Sequence, residues 1–385
     1  WSYKGCGPFR ISKGKYILTN ISYKKNAEHV LQRLRTLISK QAQDQIFAAF
    51  ILPSRAMRDF QKEYTGEFIS EYPEPKKRIK FWEKILAERE LLEDDSIPGA
   101  YPSEFDQGLY GGLLGGQVRF LSIPEDGYVG SGWISSMVPP ILRDWSEFEQ
   151  LRFDENHIWF ARYKQQLQIM RDSAKGNFGI CHIIVIDSLN FVYELVGATE
   201  TYISMYEKPD MVRKAVEFAY DLNRIVHDTF FEIVGTLEGG TCSWVVPWIP
   251  GKIVCESLDP FHMTSISDFE KWGREPAERL ISNYDGAVLH LHANGWYLLE
   301  TASTLKGLQA LLLVNEKDHV PAIEIIEDLR KRSGNLPLSV MADYNTFQEK
   351  LQQHKLPGGV FYYVSGAPDT DSVNRCMEHV RKYRT

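Results

Sequence analysis

From about residue 155 onward the sequence alternates short apolar runs with amphipathic helical stretches, a rhythm that limits the chain to a mostly parallel sheet covered by helices. The apolar runs fall at 180–187, 241–246, 287–293, 307–314, 337–342 and 359–364. Helical periodicity fills the intervals at 160–174, 209–234, 267–283, 321–333, 344–353 and 371–382. Several of the runs are apolar throughout, as strands buried on both faces require. With one or two strands from upstream, 46–52 or 118–123, the total comes to about eight, which favours a (β/α)8 TIM barrel over an open sheet.

Residues 1–116 are mostly polar and helical in pattern. Val30, Leu31, Leu34 and Leu37 share one helical face, as do Ile79, Trp82, Ile85 and Leu86. An N-terminal helical layer over 1–116, packed on a barrel over 117–385, is therefore expected. The glycine-rich stretch 108–116 precedes a strand-like run, whereas a phosphate cradle follows a strand and opens a helix, so a close-packed or mobile loop is expected there.

Composition narrows the partners. The 385 residues carry 44 basic and 51 acidic side chains, and no basic run exceeds a few residues such as Lys76-Lys77-Arg78. This leaves no electrostatic footprint for nucleic acid. No apolar run reaches the ~20 residues of a membrane span. The five cysteines, Cys6, Cys181, Cys242, Cys255 and Cys376, form no C-x-x-C pair, which fits a reducing, cytoplasmic setting.

In a barrel of this type the active site forms at the C-terminal ends of the strands, so the polar residues there are the candidates. His290 and His292 are the sharpest, because residues i and i+2 of a strand face the same side and two imidazoles can converge on one ion or substrate. Glu316, at the end of the next run, would complete a His2Glu set with an open position; it also reads as a solvated loop acid. Asp187 reads as a base or as the cap of the helix that follows it. Pro260 argues against a helix, placing Glu256 and His262 on a loop above the strand ends as further catalytic candidates. Cys242 reads as a packed strand residue rather than a thiolate. Trp244, Asn294 and Tyr344 are candidate substrate contacts, and Trp248, Trp296 and Tyr297 are aromatic walls or core.

Three segments carry a family resemblance. The stretch 266–276, with Ser267, Phe269 and Pro276, is similar to an acidic loop leading into Ser-Pro-x-x-Phe and a helix. His290-Leu291-His292-Ala293-Asn294-Gly295 falls where a His-x-Cys-Gly motif is expected, and 364–371 looks like a last strand and loop. Together, over about three fifths of the chain, they resemble the uroporphyrinogen decarboxylase superfamily, which includes the decarboxylase and the zinc-dependent corrinoid methyltransferases. His292 stands in place of the first thiolate ligand of the methyltransferases, and Ser365 or Asp369 in place of the second. Of the decarboxylase's Met-Arg-Gln-Ala-Gly-Arg motif, Met57-Arg58 keeps two letters.

The resemblance implies a methyltransferase-like enzyme with zinc on His290, His292 and Glu316. A corrinoid would be the methyl donor, and the partners a small-molecule substrate, a corrinoid protein and a second copy of the chain in a homodimer. Behind this stands a metal-free decarboxylase, a lyase in which Asp187 or Glu256 stabilises a protonated pyrrole-like intermediate and His290 or His292 is the general acid. A barrel that binds a small molecule without turnover is the third reading.

Overall fold

In the computed structural model, which describes residues 21–64, 68–69, 71–123 and 132–385, six strands form one parallel sheet. Ile46–Ile51, Val360–Ser365, Leu338–Asp343, Leu308–Val314, Gly286–His292 and Ile253–Ser257 lie side by side in that order. All six run the same way, so their C-terminal ends share one edge. Helices alternate with the later strands, and the fold is α/β as the rhythm requires. The Ile46–Ile51 strand falls within the first 116 residues, so the boundary expected at 116 does not separate helices from sheet.

Beyond both edges the backbone continues in shorter pieces. Ile184 bridges Cys255 in parallel, and the Val185 N–H donates to the Cys255 carbonyl at 2.8 Å. At the other edge the Asp95 N–H donates to the Ala48 carbonyl at 2.8 Å, and Gly99–Ala100 pairs in parallel with Gly179–Ile180. Side chains stand in for missing ladder partners here. The carboxylates of Asp94 and Asp95 accept from the N–H groups of Phe50 and Ala48, and are neutralised by Lys24 at 2.7 Å and Arg33 at 2.7 Å.

Several expectations change in detail. The 180–187 run is a strand only over Gly179–Ile180, because Asn223 satisfies both the N–H and the C=O of Ile186 in place of a neighbouring strand. The 241–246 run shortens to Gly240–Cys242, paired antiparallel with Trp248–Pro250. Arg119–Ile123 joins a small antiparallel sheet with Phe68–Ile69 and Trp133–Met137, not the parallel sheet. The 267–283 helix divides into Ile266–Trp272 and Arg274–Ile281 at Gly273, where a Cβ would sit 2.6 Å from Phe269 and 2.7 Å from Phe261. The glycine-rich stretch is no loop: Gln107–Leu113 is a buried helix whose Gly111 passes so close to Val138 that a Cβ would lie 2.1 Å from it.

Pro209–Val234 folds as one helix, opened by Pro209 at its first turn and ended at Gly235 with φ 70°. Val212, Ala215, Ala219, Leu222, Val226 and Phe230 form its buried stripe. From that stripe Asn223 reaches the 186 backbone, and this contact fixes where Asp187 emerges. Among the described residues no helix is long and apolar enough to cross a membrane.

Candidate functional site

His290 and His292 end the Gly286–His292 strand on the same face, their ring centroids 5.3 Å apart. The carboxylate that faces them comes from the neighbouring strand. Ile253–Ser257 runs alongside, with Ser257 in register with His290, and turns directly into a 3-10 helix, Asp259–Met263. That tight turn brings Asp259 Oδ1 to 3.4 Å from Nε2 of His290 and 3.8 Å from Nε2 of His292. One ligand atom from each of Asp259, His290 and His292 lies within 4.8 Å of the others. Asp259 Oδ1 is buried, and the groups that face it are the two imidazoles, His290 the nearer.

Glu316 takes a different place from the one expected. Its carboxylate meets Nδ1 of His292, while Nε2 of the same ring is the atom that faces Asp259. His262, on the 3-10 helix, packs its ring 5.8 Å from His292 and leaves Nε2 buried without a partner. Gly295 permits this approach, since a Cβ there would lie 2.1 Å from the His262 ring.

The electrostatics follow from burial and proximity. Burial alone would raise the Asp259 carboxyl, but His290, then His292 and His262, hold it well below the carboxylate range. Burial works to lower His290, yet the neighbouring Asp259 charge outweighs it and the net shift is upward. His262 is pushed down to about 4, mainly by burial.

Behind this group lie buried acids that no Lys or Arg among the described residues answers. Asp187 stands at the N-cap of Ser188–Val196 but makes no side-chain cap bond, and burial pushes its carboxyl up to about 7. Glu256, expected on a loop, sits instead within the Ile253–Ser257 strand, fully buried, with both carboxyl oxygens lacking a hydrogen-bond partner. Burial and then the charge of Asp187 hold Glu256 well above the usual range. Burial likewise raises Asp106 to about 6 and Glu194 to about 8. Sequence reasoning missed Asp106, Glu194 and the part played by Asp259.

Of the expected substrate contacts, Trp244 is beside the centre, its ring 5.1 Å from that of His290. Asn294 is exposed on the 293–298 turn. Tyr344 turns away between two outer helices, where its hydroxyl accepts from Gln348 at 2.7 Å. Trp248 and Trp296 are core, and Tyr297 donates to the carbonyls at the end of the 259–263 turn. Cys242 is packed, with its thiol pushed up to about 12 by burial. Asp369 caps the C-terminal helix through the Ser372 N–H at 2.7 Å, and Arg58 is exposed. Cys6 lies outside the described residues.

A cavity of about 150 Å³ has Trp244 in its lining. Drug-sized pockets run to roughly 300–1,000 Å³, so this one suits a small molecule better than a tetrapyrrole.

No family model matches the chain, and no curated protein does. Among solved structures the chain is similar to a methyltransferase from Methanosarcina mazei, with a TM-score of 0.55 over 92% of this chain and 98% of that one, at 11% identity. What the two share at that identity is the fold.

Proposed function

We propose that the chain is a metal-dependent, methyltransferase-like enzyme of the uroporphyrinogen decarboxylase superfamily, acting on a small organic or corrinoid-linked substrate. The observation that carries this reading is the convergence of Asp259, His290 and His292 within 4.8 Å, with Asp259 Oδ1 buried and facing both imidazoles. The likeness in fold to a methyltransferase supports it. The six-stranded sheet, continued at both edges by the 95–100 and 179–185 segments, is read here as a (β/α)8 barrel with the centre at its C-terminal mouth.

Two imidazoles and one carboxylate suit a borderline divalent ion such as zinc, and they leave a coordination position open. A bound ion of this kind would supply Lewis acidity to an acceptor held beside it. Glu316, in this reading, fixes the ring and tautomer of His292 from outside the ligand set. Asp187 and Glu256 form a buried acid pair, both carboxyls raised by burial and Glu256 also by the charge of Asp187, and such a pair can hold a proton for transfer. Trp244 stands beside His290 and also lines the neighbouring cavity, so it touches both regions.

One observation favours a second reading. The His290 and Asp259 pair is itself a charged couple able to donate a proton, as a metal-free decarboxylase requires. Elemental analysis of protein purified without chelator separates the two. One equivalent of metal in the wild type, lost in both His290→Ala and His292→Ala together with corrinoid-linked methyl transfer, is the expected result. A metal-free protein that releases carbon dioxide from a porphyrinogen would overturn it.

A further inference from the structure

The cavity that has Trp244 in its lining is walled by one face of the parallel sheet and one face of a helix. Ala49 and Tyr363, both in the lining, are register partners on the neighbouring strands Ile46–Ile51 and Val360–Ser365. Tyr362 packs on Phe347 of the outer Tyr344–Gln352 helix, ring centroids 5.3 Å apart, so Tyr363, the next residue of the strand, faces the other way. The helix Pro75–Glu88 and its cap contribute Trp82, Ile85, Leu86 and Arg89, the spacing of a single helical face.

The charges along this lining are already answered. Lys24 and Arg89 meet Asp94 at 2.7 and 3.1 Å, and Arg89 also donates to the Phe50 carbonyl at 2.7 Å. The carboxylate of Glu88 accepts from the N–H groups of Arg55 and Ala56 and so satisfies the start of the Arg55–Glu63 helix. A charged ligand would enter without a free counter-ion, at the full cost of its desolvation.

Two polar groups are not answered. The Tyr363 hydroxyl and the Trp82 Nε1–H are buried and have no hydrogen-bond partner among the described residues. An unpaired buried donor costs free energy that an acceptor carried by a ligand would recover. Ser243 on the same lining is satisfied by contrast: its Oγ meets His182 Nε2 at 2.8 Å and accepts from the Val245 N–H at 3.0 Å.

We propose that this cavity binds an uncharged, single-ring aromatic molecule carrying an acceptor oxygen, with its ring against the apolar wall and its oxygen towards Tyr363 and Trp82. The volume of about 150 Å³ agrees with the size, since an apolar cavity of roughly 150 Å³ holds one benzene ring. As a binding site it stands apart from the metal centre. Its use as the substrate pocket rests on the methyltransferase reading, through Trp244, whose ring is 5.1 Å from that of His290.

The test is calorimetric binding to the full chain with acetophenone, isopropenylbenzene and benzoate. Isopropenylbenzene matches acetophenone in shape, with a methylene in place of the carbonyl oxygen, and benzoate adds a charge. Both neutral probes are expected to bind, and benzoate to bind roughly tenfold or more weakly than acetophenone. Tyr363→Phe and Trp82→Phe each remove a donor and keep a ring. Each should weaken acetophenone by roughly 2- to 10-fold and leave isopropenylbenzene nearly unchanged, which also shows that the variants are folded. No acetophenone binding, benzoate binding as tight as acetophenone, or equal losses of both neutral probes in both variants would overturn the proposal. Zinc titration of the same protein keeps the two sites apart: acetophenone binding without zinc uptake would remove the metal centre and leave this site, and zinc uptake without acetophenone binding would do the reverse.

Discussion

The Glu316 carboxylate is hydrogen-bonded to Nδ1 of His292, and this turns Nε2 of the same ring towards Asp259. A histidine that ligates a metal through one nitrogen commonly gives the other to a carboxylate, which fixes ring and tautomer. The two acids near His292 therefore have different tasks: Asp259 shares the space between the imidazoles, and Glu316 orients one of them from behind.

Different tasks give different losses. In the proposed centre, Asp259→Asn should remove stoichiometric metal binding, because it takes the carboxylate from a set of three candidate ligands. Glu316→Gln should keep the stoichiometry and weaken affinity by about 10- to 100-fold. Zinc titration against a competing chelator measures both, and equal losses in the two variants would contradict this division of roles.

The buried acids set a pH dependence of stability. Burial, and then the charge of Asp106, raises Glu194 to about 8 from an ordinary value of 4.5. A carboxyl raised in the folded state contributes stability at low pH and loses it as pH climbs through the folded value. Glu194→Gln should therefore melt increasingly above the wild type between pH 4.5 and 8 and hold a constant advantage beyond. The gap should be on the order of a few kcal/mol at most, or several degrees in melting temperature. Thermal melts at pH 5 and pH 9 check it, and an advantage that shrinks with pH would show that Glu194 is not held neutral.

How much of this the sequence discloses depends on distance along the chain. The paired imidazoles are legible because period-two geometry within one strand brings them together, and the Pro209–Val234 helix is legible from its stripe. Asp259 is not, because it is placed by a strand whose Glu256 and Ser257 read as loop until burial on both faces is known. Asp106 reaches the same region from about 150 residues upstream through a serine contact that no local pattern announces. Asp187 shows the reverse case: its position before a helix suggests a cap, yet its carboxyl makes no cap bond.

Thiol chemistry gives an independent check on the packing. Cys181, Cys242, Cys255 and Cys376 are all buried, and burial holds each thiol above its usual range, Cys242 at about 12 and Cys376 at about 11. The thiolate is the reactive form, so these four should resist a disulfide reagent at pH 8 in the native protein and react once urea unfolds it. At most one of the five thiols, Cys6, should titrate before unfolding. Rapid native labelling of Cys242 would restore it as a nucleophile candidate.

Gly295 offers a test of the contact between the two turns that build the centre. An added Cβ would meet His262 Cδ2 at 2.1 Å and Nε2 at 2.4 Å, so either the imidazole or the 293–298 turn must move. His262 Nε2 has no hydrogen-bond partner, whereas the turn is anchored by Trp296 donating to the Leu291 carbonyl at 3.2 Å. The ring should yield. Gly295→Ala should cost about 1–3 kcal/mol, the usual range for overpacking. In a His262→Ala background the same substitution meets no ring and should cost much less, so the two changes should be strongly non-additive. Urea denaturation of the single and double variants measures the coupling; strict additivity would mean that His262 does not pack on Gly295 in solution. Metal stoichiometry should survive both changes, because His262 lies outside the Asp259, His290 and His292 trio.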